Sequence, residues 1–220
     1  MTMFYSFSNA FCRFVGFNCI RSTVIHPERF NVSGGFVLAC THLSHLEPAI
    51  VGMLVNRKID WMARIEFYRY RIVAMMLDAL DAFPVNRQGV PVRAIRTAIE
   101  RARGGRIVGI FPEGGVVHGS ESAVRGGPIK KGACLVAYRA AVPILPVVVV
   151  GTDKLNRIGP WLPFRRARVW VAYGRLVHPR LDEPNRRIAR NLMAIDLQAE
   201  FQGLYQELCS RHGIDDREVA

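Results

Sequence analysis

Gly35-Phe36-Val37-Leu38-Ala39-Cys40-Thr41-His42-Leu43-Ser44-His45-Leu46-Glu47-Pro48 decides the fold. Its first six residues carry no charge and read as a strand buried on both faces, as in parallel sheets. A polar turn follows, then an apolar helix over residues 47–55. The same rhythm continues downstream. Strands are expected at 59–63, 82–85, 106–111, 143–150 and 168–177, the last closing the sheet. Helices are expected at 66–80, 92–103, 132–140 and 185–211, the last with an apolar stripe of Ile188, Leu192, Ile195, Leu204 and Leu208. Strands alternating with helices predict an α/β fold with a mostly parallel central sheet flanked by helices.

Composition narrows the class. The chain has 220 residues, half of them hydrophobic, enough for one sizeable core. Thirty basic residues against eighteen acidic ones give a net charge of +12, and twenty-six of the thirty are arginine. Mean hydropathy is nevertheless slightly positive, at +0.12. Arginine excess in so apolar a chain points to an anionic membrane surface. A nucleic-acid binder of this charge is more often polar and lysine-rich, and no helix-turn-helix, zinc-finger or RNP signature is present, so no nucleic-acid partner is expected. The five cysteines (Cys12, Cys19, Cys40, Cys134, Cys209) are scattered without a C-x-x-C pair, which argues against a disulfide scaffold or a thiolate zinc site.

Polar and glycine-rich segments stand at the strand exits, where α/β sheets bind ligands. His42 and Glu47 span the first turn, and a carboxylate there can accept the Nδ1 proton and leave Nε2 as a base. Adding His45 makes an H-x-x-H, but without a further ligand at a telling spacing no metal is expected. Arg87, just past the 82–85 strand, offers a fork for a phosphate or carboxylate. Gly109-Ile110-Phe111-Pro112-Glu113-Gly114-Gly115 forms another exit, where backbone N–H groups of Gly114 and Gly115 can approach a ligand. Val142-Pro143-Ile144-Leu145-Pro146 leads into four consecutive valines.

Taken in order, these four segments resemble the four motifs of the glycerolipid acyltransferases, the group that includes 1-acylglycerol-3-phosphate acyltransferase. His42-x4-Glu47 resembles the family's His-x4-Asp, and Phe83-Pro84-Val85-Asn86-Arg87 its second motif. Phe111-Pro112-Glu113-Gly114 matches the core of the third, and Val142 to Pro146 the fourth. Pro128 to Ala133 is similar to the stretch that follows motif three. The resemblance implies acyl transfer from an acyl-CoA or acyl carrier protein thioester to a lipid hydroxyl, with no bound cofactor. It makes His42 the general base, Glu47 its orienting carboxylate, Arg87 a ligand for the acceptor phosphate, and Glu113, Gly114, Gly115 and Pro146 part of the substrate site. Two departures stand out. Glu47 is one methylene longer than the usual Asp, and Gly115-Val116-Val117 replaces the usual continuation, so its arginine is missing. Arg125 and Lys131 are the candidates to replace it; otherwise the acceptor differs, or the chain is a non-catalytic lipid-binding relative.

Phe4, Phe7, Phe11 and Phe14 recur on one helical face beside Arg13 and Arg21, a stripe that suits either a bilayer interface or the protein's own core. Residues 1–30 are expected to form an amphipathic membrane-associating segment and 31–220 the acyltransferase domain. Met1 to Ile20 has no basic n-region and is interrupted by polar residues, so neither a secretory signal nor a membrane span is expected. Trp161-Leu162-Pro163-Phe164-Arg165-Arg166 suits a second membrane contact or a solvated loop. A peripheral, monotopic location on the cytoplasmic face follows.

Overall fold

The computed structural model describes residues 20–86, 88, 91–153 and 167–214. The phenylalanine stripe, Arg87 and the 161–166 segment lie outside them. Seven strands form one sheet: β1 (Ile20–Ile25), β2 (Phe36–Cys40), β3 (Ile59–Arg64), β4 (Phe83–Val85), β5 (Ile107–Ile110), β6 (Ile144–Val150) and β7 (Ala167–Tyr173). Their order is β1-β7-β6-β2-β5-β3-β4, parallel throughout except for the antiparallel β6/β7 pair. The helices are α1 (Glu47–Leu54), α2 (Arg71–Ala79), α3 (Val92–Arg103), α4 (Gly132–Ala140) and α5 (Arg186–His212). The mostly parallel α/β architecture is as expected. None of the described helices is long and apolar enough to cross a membrane.

The pleat sorts the core into two layers. Val37, Ala39, Val108, Ile110, Ile144 and Val148 point to the face covered by α3, α4 and α5. Phe36, Leu38, Cys40, Leu145, Val147 and Val149 point to the other, where Ile50, Val51 and Val55 of the α1 region meet them. Helix α3 lies close because its buried stripe is alanine, at Ala94, Ala98 and Ala102. Helix α5 begins at Asn185, whose side chain accepts from the Arg187 and Ile188 amides, and ends at Gly213 with φ of 60°.

Four expectations are corrected. Ile20–Ile25, expected within an amphipathic N-terminal segment, is a strand of the sheet paired along its length with β7. The edge of the sheet is therefore β1, not β7. The single helix expected over 66–80 is broken at Tyr70, whose extended backbone separates a 3-10 turn (Ile65–Arg69) from α2. Helix α5 buries Ala189, Met193, Leu197, Phe201, Leu204 and Leu208, while Ile188 and Ile195 face solvent. Those buried positions step by three or four residues, and the helix carries enough apolar side chains for two candidate stripes.

Charges gather at the amino edge of the sheet. Buried Asp60 meets Arg106 (2.6 Å) and Arg101 (3.3 Å), and Asp81 meets Arg106 (2.9 Å) and Lys58. Burial pushes the Asp60 carboxyl up despite both arginines. Burial also lifts Asp81, but Lys58 and Arg106 outweigh it and hold its carboxyl below the usual range. The contribution of Asp81 is thus complete above the ordinary value of 3.8 and is lost as pH falls through its lower folded value. Asp60→Ala removes one carboxylate from two guanidinium groups that are partly exposed, able to rehydrate and still held by Asp81. It is expected to cost roughly 2 kcal/mol, below the ~3–5 kcal/mol of a wholly buried pair, as read from the urea midpoint.

Candidate active site

Strand register sets the site. Phe36, Ile59 and Ile107 are level, so Thr41, Arg64 and Pro112 share the next layer up, with Val85 beside Arg64. The exits of β2, β3, β4 and β5 therefore open onto one edge. Thr41 extends the ladder past its end: its amide donates to the Val147 carbonyl (3.1 Å), and its Oγ1 accepts from the Val149 amide (3.2 Å). His42 follows on a backbone held at both ends. Its amide donates to Glu113 Oε2 (2.6 Å), and its carbonyl accepts from the Val117 amide (3.1 Å).

The imidazole is positioned as firmly. Its Nδ1 lies 2.9 Å from Glu47 Oε2, and Glu47, at the start of α1, is 0% exposed. The Thr152 hydroxyl donates to the other oxygen, Glu47 Oε1. An ionised carboxylate can only accept, so the Nδ1 proton points to Glu47 and Nε2 carries the lone pair. Nε2 has no partner among the described residues, and His42 is 9% exposed. One ring face stacks on Phe111 (centroids 4.0 Å apart, 21°), and Phe111 stacks on Trp61 (4.8 Å, 11°). Trp61 in turn lies over Gly109, where a Cβ would strike its ring. His45 stands edge-on to His42, 5.9 Å away. No cluster of three His, Cys, Asp or Glu side chains suited to a metal occurs among the described residues.

Several expected ligand residues have other duties. Glu113 is turned inward: Oε1 accepts from Ser122 Oγ (2.9 Å) and the Ala123 amide (2.8 Å), while Oε2 holds His42. Burial pushes its carboxyl up, and those three donors offset part of the rise. Through these contacts it braces the backbone of the site. The Gly114 amide donates to the Phe111 carbonyl (3.0 Å), closing a turn that needs φ of 78°. The half-buried Gly115 amide has no acceptor among the described residues, as is also true of the Val116 amide. Pro146 is buried within β6, where its carbonyl accepts from the Gly174 amide (2.8 Å). The pairing with β7 slips by one residue there, between Val147↔Tyr173 and Ile144↔Val177, which suits a residue without an N–H. Lys131 reaches Asn191 Oδ1 on α5 (2.8 Å), away from the third-motif loop. Arg125 closes a 3-10 turn (Ala123–Arg125) packed on α5. Arg87 is outside the described residues, but Asn86 before it is level with His42 by register.

Two contributors went unrecognised in the sequence. Thr152 follows the valine run at the exit of β6, and applying the strand-exit rule to that strand would have found it. Lys130, beside the singled-out Lys131, lays its ammonium over Gly114, where any side chain would strike it. Its amide donates to the Pro112 carbonyl (2.8 Å), which fixes it to the third-motif turn.

An α/β sheet that presents a carboxylate-held histidine at its carboxyl edge puts the candidate active site at the exit of β2. The chain belongs to the acyltransferase family, whose model, described as Acyltransferase, matches residues 21–150. It is 28% identical over 156 residues to the 1-acyl-sn-glycerol-3-phosphate acyltransferase of Bacillus subtilis, covering 70% of this chain and 73% of that one. A Streptococcus pneumoniae enzyme of the same name is 25% identical over 184 residues, 83% of this chain and 65% of its own. A crystal structure of the 1-acyl-sn-glycerophosphate acyltransferase PlsC from Thermotoga maritima shares the fold, with a TM-score of 0.69 and 21% identity over 91% of this chain and 79% of that one.

Thr152 touches no reacting atom; it positions Glu47. Thr152→Val is expected to lower kcat for acyl transfer by about tenfold to a hundredfold, the worth of a hydrogen bond to a charged group. Thr152→Ser should restore the rate.

Proposed function

We propose that this chain moves a fatty acyl group from an acyl-CoA or acyl carrier protein thioester to the free hydroxyl of 1-acylglycerol-3-phosphate or a close lysophospholipid. It would act peripherally at the cytoplasmic face of a membrane. The observation that carries this reading is the histidine: Nδ1 is committed to a buried carboxylate, and Nε2 has no partner among the described residues. Nε2 takes the acceptor's hydroxyl proton as the oxygen attacks the thioester carbonyl, and Glu47 stabilises the imidazolium. The tetrahedral oxyanion lies against the Gly115 amide, a contact of a kind worth ~2.7–4 kcal/mol per donor. Collapse expels the thiolate, which takes the proton back from His42. No acyl-enzyme forms.

The acceptor's anionic head needs cations. Arg87 belongs to the second motif, and Lys130 supplies an exposed ammonium in the third-motif loop, where the usual arginine is absent. That absence is also what favours a second reading, in which the same chemistry serves an acceptor with a different head group.

Purified chain given a long-chain acyl-CoA or acyl carrier protein and a panel of lysolipids should form the diacyl product, detected by mass spectrometry. His42→Ala should reduce the rate by about 10²–10⁴-fold while the fold persists by circular dichroism. Lys130→Gln should raise KM for a phosphate-bearing acceptor by on the order of tenfold and leave kcat within a small factor. A wild type that is folded yet transfers from neither donor to any acceptor sinks the proposal. Transfer only to a lysolipid without a phosphomonoester selects the second reading.

A further inference from the structure

At the catalytic edge the chain turns an apolar face outward. Strand β3 ends at Arg64, level with Thr41 and two strands from β2, about 10 Å away. From there Ile65, Phe67, Tyr70, Ile72, Met75 and Met76 are exposed, with Ile72 at 76%, Tyr70 at 67% and Met75 at 65%. None of the described side chains of α2 is buried. Ile72, Met75 and Met76 are spaced as one helical face, and that face is exposed where an ordinary amphipathic surface helix carries polar residues, while Ala74 and Leu77 are half-buried. An exposed contiguous apolar surface of this kind marks a site of association.

The charges around the face say what it meets. Arg64, Arg69 and Arg71 flank it, and residues 64–80 hold just two acids, Glu66 and Asp78, the former paired with Arg64 at 3.5 Å. On the far side of the same edge, exposed Arg21 and Arg168 lie side by side where β1 and β7 begin. Arginine stems running beside aliphatic and aromatic residues suit the headgroup boundary of an anionic bilayer. A second copy fits less well, since self-pairing through this helix would bring Arg69 and Arg71 against their own images.

We propose that the Ile65–Met76 face docks the enzyme on an anionic bilayer and holds the His42 edge at the depth from which a lipid acceptor is drawn. The acceptor's role rests on the acyl-transfer reading; the docking does not. The test uses the full chain and vesicles of phosphatidylcholine with or without phosphatidylglycerol. Ile72→Asp/Met75→Asp changes two outward positions and leaves the core intact. It should lower partition onto anionic vesicles by on the order of tenfold or more. Transfer to a long-chain acceptor in those vesicles should fall in parallel, while the rate on a short-chain, water-soluble acceptor stays the same. Because residues 1–19 carry their own phenylalanines, a second readout reports the face directly. Tyr70→Trp fluorescence should be quenched by brominated phosphatidylcholine beyond the wild-type level.

Unchanged partition together with no excess quenching overturns the proposal. So does a dimer that the double variant converts to monomer while vesicle binding persists, or a lost affinity for acyl carrier protein with vesicle binding intact. Wild type that docks through this face but acylates nothing refutes the acyl-transfer reading and leaves the docking standing. Transfer to the soluble acceptor with no role for this face does the reverse.

Discussion

Everything at the catalytic edge depends on one constraint: two carboxylates are buried at the end of β2, and neither is tolerated there without donors. Glu113 is satisfied by the His42 amide, the Ala123 amide and the Ser122 hydroxyl. Glu47 is satisfied by the His42 ring and the Thr152 hydroxyl. His42 is therefore held by its backbone from one carboxylate and by its ring from the other. The loops after β2, β5 and β6 cannot move independently, because the donors come from all three. Burial of Cys40 itself, with a smaller push from the charges of Glu47 and Glu113, raises that thiol well above its usual range, which keeps it an inert core residue despite its place next to the site.

The opposite edge shows where part of the arginine excess goes. Arg57 donates to the Val32, Gly34 and Gly105 carbonyls, Arg29 to Tyr173, Arg101 to Asp81 and Arg103 to Arg139. A guanidinium presents five donors in a rigid fork, so one side chain can close several loop carbonyls that no strand or helix satisfies. Several arginines are thus structural donors at the amino edge, while Arg64, Arg69 and Arg71 flank the catalytic one. Net charge did indicate an anionic partner, but it could not say which arginines were already engaged.

Strand exits were legible because they combine two signals, an apolar run and a sharp turn to glycine, histidine or proline. That is why His42, Glu47 and the Glu113 loop were found. Their roles were less legible. Glu113 looks like a ligand in a motif, but its three donors include two backbone amides from distant segments, and no linear pattern displays amide direction. Ile20–Ile25 escaped as a strand because an edge strand with one exposed flank carries a weak apolar signal, as Arg21, Ser22 and Thr23 show. In α5 both stripes were apolar, and only the position of the sheet selects Phe201 over Ile195.

Glu47 in place of the family's usual aspartate follows from the same geometry. The longer side chain has one more rotatable bond, which must be frozen for Nδ1 to be held in line. A single bond to the imidazole would leave the carboxylate free to pivot. The Thr152 hydroxyl removes that freedom by taking the second oxygen, and it does so from a segment set by Gly151, whose φ of 88° turns the chain at the end of β6. A side chain at Gly151 would strike the Arg168 carbonyl, so the turn that delivers Thr152 is confined to glycine. The longer acid and the threonine thus act as one clamp, built from two strand exits. The length of the acid at position 47 has meaning only together with the residue that clamps its far oxygen.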